Sequence, residues 1–147
     1  MTGKPSRDKG NRFEVALTHY LTDKIGRQVI TSRNGRGGAQ GGADLHAADD
    51  DGRFRPHVNG WTLEAKDVAG TSVPSWLGQA RIAADDAGVD WWAVVHKQRH
   101  KTVDDARVFL PRLLLRDYLV VGEPDPEGYL VGDHVHMTLG AFVEVCL

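Results

Sequence analysis

From Asp8 to Lys24 the apolar residues Phe13, Ala16, Leu17, Tyr20 and Leu21 recur at helical spacing, and Gly26 stands where a C-cap glycine belongs. This pattern predicts an amphipathic helix. Gln28 to Thr31 reads as a short strand, and Arg33 to Gly42, with five glycines and two arginines, reads as a loop. Asp44 to Ala47 is a candidate second strand, and Asp51-Gly52 marks a turn before a return through Arg53 to Asn59. Along Trp61 to Val68 the side chains alternate, with Trp61, Leu63 and Ala65 on one face and Thr62, Glu64 and Lys66 on the other. One face is expected to be core and the other charged.

Beyond Pro74, the residues Trp76, Leu77, Ala80, Ala83, Ala84 and Ala87 form an apolar helical stripe that Gly88 ends. A strand from Trp91 to His96, a basic hairpin loop from Lys97 to Lys101 and a return strand from Arg107 to Leu110 follow. Leu113 to Val121 reads as a helix, Gly122 to Gly132 as a loop and His134 to Thr138 as a strand before a short closing element. The order predicts an α/β fold in which helices pack on a sheet. No repeat or long linker divides the 147 residues, so residues 1–147 are expected to form a single domain.

Composition narrows the class of protein. At 41% hydrophobic and 26% charged residues the chain is ordinary for a globular domain. The lone Cys146 rules out an internal disulfide and any zinc site built on two thiolates, which fits a reducing compartment. No apolar run approaches the about 20 residues of a membrane span, and Met1 to Gly10 lacks the apolar stretch of a signal peptide. A cytoplasmic protein with no membrane partner is expected. The net charge of −2 gives no general attraction for a polyanion, yet residues 1–42 carry eight basic and three acidic side chains, a local +5.

Glu64 and Lys66 flank the backbone of Ala65 on one strand, and Asp44 begins another directly after the glycine-rich loop. Were the strands neighbours, two carboxylates and a main-chain carbonyl would converge in a manner that suits a hard cation such as Mg²⁺. A lysine beside them can stabilise an attacking water and the charge developing on a phosphate. The same triplet also suits a solvated pair on a half-exposed strand. Three features bear on the choice. Glu14 lies at the edge of the first helix's apolar stripe, Arg33-Asn34-Gly35-Arg36-Gly37-Gly38 can bring backbone and charge close to a phosphate, and Gln79 lies on the polar side of the second helix. The loop is not a Walker loop, since no Gly-Lys-Ser/Thr follows.

The series Lys9-Gly10-x-x-Phe13-Glu14, Arg33, Gly42-Ala43-Asp44, Glu64-Ala65-Lys66 and Gln79 resembles the PD-(D/E)xK nuclease superfamily, and within it archaeal-type Holliday junction resolvases and related small phage nucleases. The likeness spans about residues 9–120. It implies a restriction-endonuclease-like α/β fold, a central mixed sheet flanked by helices, and Mg²⁺-dependent cleavage of DNA, with Mn²⁺ able to substitute. It implies that Asp44, Glu64 and the Ala65 carbonyl bind the metal, that Lys66 positions the attacking water, that Glu14 assists through metal or water, and that Gln79 orients groups nearby. Arg33 would hold a phosphate, and Arg7, Lys9, Arg12 and Arg36, with Lys97, Arg99 and Lys101 of the hairpin loop, would line the DNA path. A branched or four-way junction as substrate makes a homodimer the natural assembly. The alternatives are action on duplex, flap or nicked DNA, or a non-catalytic nucleic-acid-binding module of the same fold.

Ala43 stands in place of the proline of the superfamily's name, Ala83 takes the place of a tyrosine four residues beyond Gln79, and the Asp44–Glu64 interval is long. Asp49-Asp50-Asp51-Gly52 is expected to be a solvated turn; as an EF-hand it would need Ala47 and Val58 as ligands. His96 and His100 flank the basic loop and are candidates for backbone contact with DNA or for a solvated loop. His134 and His136 alternate on a strand without a third metal ligand nearby. Of Trp91 and Trp92, at least one is expected in the core.

Overall fold

The computed structural model describes residues 4–32, 43–114 and 134–147, with the side chains of the first helix described from Gly10 onward. Helix α1 spans Lys4–Ile25, and Gly26 (φ 72°) ends it by donating to Thr22 O at 3.1 Å. Thr22 Oγ1 then accepts from Val29 N at 2.9 Å, which fixes the entry to the first strand. Strands β1 (Val29–Thr31), β2 (Leu45–Ala48) and β3 (Phe54–Arg55) form an antiparallel sheet in that order. The expected glycine-rich loop, including Arg33 and Arg36, lies outside the described residues.

A second, mixed sheet runs β4 (Trp61–Lys66), β5 (Trp91–His96), β6 (Arg107–Pro111) and β7 (His134–Thr138). Helix α2 (Val73–Ala87) carries the chain from β4 to the parallel β5, whereas β5–β6 and β6–β7 are antiparallel. Pro74 sits in the first turn of α2, where its missing N–H costs nothing. Gly88 (φ 71°) closes it, with Gly88 N bonded to Asp85 O and Val89 N to Ala84 O. Helix α3 (Leu139–Cys146) is the closing element, capped by Thr138, whose side chain accepts from Ala141 N at 3.2 Å. Of the expected helix from Leu113 to Val121, residues beyond Leu114 lie outside the described residues, as does the loop from Gly122 to Gly132. The fold is α/β, a mixed sheet flanked by helices.

Both faces of that sheet are covered. Leu63, Ala93, Val95, Val108, Leu110 and Val135 enter a core with Phe13, Leu17 and Leu21 of α1 and Leu139 and Phe142 of α3. Val94 instead packs with Val73, Trp76 and Ala80 of α2, joined by half-buried Phe109 and Trp92. The expectation of one core face and one charged face on β4 is therefore corrected: Thr62 and Glu64, on the second face, are buried as well. The alternation places them correctly, but a helix crossing from β4 to β5 must pack on the sheet and takes their solvent away.

Trp61 anchors the main core, in edge contact with Phe142 (5.1 Å between centroids) and tilted against Trp91 (5.7 Å). Trp91 and Trp92 are both half-buried against it. A tight Val58-Asn59-Gly60-Trp61 turn leads into β4, with reciprocal bonds between Val58 and Trp61 and positive φ at Asn59 (49°) and Gly60 (87°). Two consecutive left-handed residues are what an Asn-Gly pair supplies. At the Asp49 turn, Asp49 accepts from Asp51 N and Arg53 N and pairs with Arg55 at 2.9 Å, which holds its carboxyl below the ordinary range. Asp50 meets Arg27 at 2.7 Å. This exposed turn is ordered by its own charges.

Candidate active site

The two sheets are joined where the sequence places its acidic residues. Asp44 immediately precedes β2; its backbone carbonyl accepts from Ser32 N, and its Oδ2 accepts from Ala65 N, both at 2.8 Å. A residue in a strand sends its N–H and C=O to the same side. The Ala65 carbonyl thus leaves β4 toward Asp44, while Lys66 O faces the other way and accepts from Lys97 N at 2.9 Å. Glu64, only 9% exposed, hydrogen-bonds to Asp44 through its side chain. Two carboxyl groups and the Ala65 backbone meet at the free edge of β4, the end strand of its sheet.

That arrangement is electrostatically costly. The Glu64 carboxyl is pushed up to about 9 by burial first, then by the charge and hydrogen bond of Asp44, with a smaller push from Glu14, while Lys66 opposes them. Glu14, on α1, is thus within electrostatic reach of the pair. Lys66 Nζ donates to Gln79 Oε1 at 2.8 Å, so α2 fixes the ammonium beside the carboxylates. Five residues separated by up to 65 positions in sequence, namely Glu14, Asp44, Glu64, Lys66 and Gln79, are brought together. Among the described residues, no three His, Cys, Asp or Glu side chains stand close enough to hold a metal by themselves. Any cation here would be held by the Asp44–Glu64 pair, the Ala65 carbonyl and water, a set of hard oxygen donors of the kind Mg²⁺ takes.

Two basic segments also converge. Arg12 of α1 lines a cavity of about 440 Å³ with Lys97, Lys101 and Thr102 of the loop after β5, floored by Phe13, Ala16 and Val103. Arg99 is exposed on that loop. Lys97 also lies 3.9 Å from Asp67, a buried carboxylate next to Lys66 that the sequence reading did not single out. Arg7 and Lys9 occupy the start of α1, their side chains outside the described ones, and Arg33 and Arg36 are outside the described residues altogether.

His96 needs correction. It does not project from a loop but is buried at the end of β5, against Trp76 (5.0 Å) and bonded through Nε2 to Val68 O at 2.8 Å. The segment after β4 folds back over the sheet and covers it; the signal available was its place in alternation with Val94. His100 is exposed with φ 58°. His46, two residues beyond Asp44 on β2, was also missed; it is buried, which lowers its pKa, and Nε2 has no hydrogen-bond partner among the described residues. No helix among the described residues is long and apolar enough to cross a membrane. Compared with protein-family models, with curated proteins and with solved structures, the chain matches none of them.

Proposed function

We propose that the protein is a Mg²⁺-dependent DNA endonuclease of the restriction-endonuclease-like, PD-(D/E)xK type, acting on Holliday or other branched junctions, with Mn²⁺ able to replace Mg²⁺. The observation that carries this reading is the contact of Asp44 with both Glu64 and the Ala65 backbone, beside a Lys66 held by Gln79. Buried like-charged carboxyl groups in contact are stabilised by a proton or by a cation, and the oxygen donors present suit a divalent one.

When bound, Mg²⁺ supplies a lowered pKa for water and charge neutralisation at the phosphate. The chain's own residues do the rest. Asp44, Glu64 and the Ala65 carbonyl would hold the ion, with Glu14 steering water at its margin. Lys66, kept in place by Gln79, would orient the attacking water and stabilise the charge that builds on the phosphate oxygens. Arg12, Lys97 and Lys101 would hold the neighbouring backbone, giving a local basic surface on a chain whose net charge is −2. Two such sites in a homodimer would match the two strands cut at a four-way junction.

Asp44→Asn and Lys66→Ala test the assignment. Each is expected to lower Mg²⁺-dependent cleavage of a labelled four-way junction at least a hundredfold while retaining binding; unchanged cleavage by either variant refutes it.

A further inference from the structure

A second cavity, of about 240 Å³, opens on the α2 face of the mixed sheet, lined by Thr71, His96, Gln98, Arg107, Phe109 and His136. Registry places it. Lys66 pairs with His96 and His96 with Arg107, so the three share one row and one face, with Arg107 two strand spacings, about 10 Å, from Lys66. In the next row Phe109 is opposite His136, whose rings lie 5.9 Å apart. Trp76 of α2 stands against His96, with 5.0 Å between ring centroids.

The lining includes no carboxylate. Arg107 is half-buried and makes no ion pair among the described residues. A guanidinium partly withdrawn from water on an aromatic-lined sheet face keeps its charge and gains from an anion that accepts its fork of donors. His96 forms a wall and does not contribute a donor: Nε2 is bonded to Val68 O, and Gln98 Nε2 lies 3.4 Å from Nδ1. The groups free to turn toward a ligand are the Arg107 fork, the exposed His136 ring and the Thr71 hydroxyl.

We propose that this cavity is a second anion site, taking a phosphate group, with Arg107 as its cation and His136 and Thr71 as further donors. It stands on residues outside the proposed nuclease site and does not require that site to cut. The phosphate comes either from nucleic acid already seated along Arg12, Lys97 and Lys101 or from a free phosphorylated metabolite. The test separates these sources.

The full chain, isotope-labelled and without divalent metal, is titrated with inorganic phosphate at constant ionic strength set by chloride, while the side-chain resonances of Arg107 and His136 are followed by NMR. Saturable shifts of both are expected. Arg107→Gln is expected to abolish the His136 shift, His136→Ala to weaken the Arg107 shift several-fold, and Lys101→Gln to leave both unchanged. Absence of saturable shifts, or a His136 shift that survives in Arg107→Gln, overturns the proposal. The source is then read from DNA binding in EDTA. A nucleic-acid phosphate predicts that Arg107→Gln reduces the log K against log salt slope by about 0.9, a loss of roughly five- to tenfold near 0.1 M salt. Unchanged DNA affinity alongside the phosphate shifts assigns the site to a free ligand. Cleavage is scored separately, so an inactive wild-type protein would refute the nuclease reading without affecting this one.

Discussion

Replacing Glu64 by Gln should stabilise the metal-free protein while destroying its proposed activity. The carboxyl group ordinarily titrates near 4.5 but is pushed up to about 9 in the fold, chiefly by burial and then by Asp44. At pH 7 the folded protein therefore holds a proton on Glu64 that the unfolded chain has released. Folding binds that proton, so the contribution of Glu64 to stability is greatest below pH 4.5 and declines as pH rises toward 9. Over the 2.5 pH units from 4.5 to 7, at about 1.4 kcal/mol per unit, the decline amounts to about 3.5 kcal/mol. Gln carries no such proton, and its amide can donate to Asp44 in place of the protonated carboxyl. Urea unfolding of both proteins in EDTA should show equal stability at pH 4 and an advantage of about 1 to 3 kcal/mol for Glu64→Gln at pH 7. Mg²⁺ should narrow the gap, because only the wild type gains from binding, by about 1.4 kcal/mol at ten times Kd and about 2.7 kcal/mol at a hundred times Kd. A Glu64→Gln variant that is less stable than wild type in EDTA at pH 7, or a difference that does not vary with pH, would refute the argument.

Other substitutions probe separate parts of the account. Gln79→Ala should reduce kcat roughly tenfold with little change in KM or in the unfolding midpoint, since Gln79 is exposed and its described bond is to Lys66; an unchanged kcat would show that the contact does not position the ammonium. Phe142→Ala should cost about 3 to 5 kcal/mol in urea unfolding, because the ring is fully buried against Trp61; a loss under 1 kcal/mol would mean that α3 does not close the core. Gly60→Ala should cost about 1 to 2 kcal/mol by the same assay, since the position needs φ of 87° and its added Cβ would meet the Trp91 ring at 3.3 Å. A neutral result there would refute the tight turn.

Much of this architecture could be read from periodicity. The stripe from Phe13 to Leu21 and the one from Trp76 to Ala84 lie on helices whose C-caps are Gly26 and Gly88 as expected, because apolar spacing and left-handed glycines are local signals. The alternation along Trp61–Lys66 also placed Glu64 and Lys66 on one face. Burial was less accessible. Whether Glu64 is solvated depends on α2 crossing the sheet and on Asp44 arriving from the start of β2, 20 positions away, neither of which is encoded near Glu64. His96 was misplaced for the same reason: its basic neighbours suggested a loop, while its cover comes from Val68 and Trp76. The Asn59-Gly60 pair is an equally local turn signal, hidden in the sequence because Asn59 reads as the end of the return from the Asp51-Gly52 turn. Arg107 gave no signal at all in sequence; only pairing with His96 on one side and Thr138 on the other brings it into the second cavity.

Incubation of the 147-residue chain with an equimolar mixture of a labelled four-way junction and the matching linear duplex, with Mg²⁺ or with EDTA, tests the central claim most directly. The account predicts junction cleavage that requires Mg²⁺, leaves most of the duplex intact and vanishes in Glu64→Gln. Junction binding without cleavage in Mg²⁺, or cleavage that persists in EDTA or in Glu64→Gln, would contradict it.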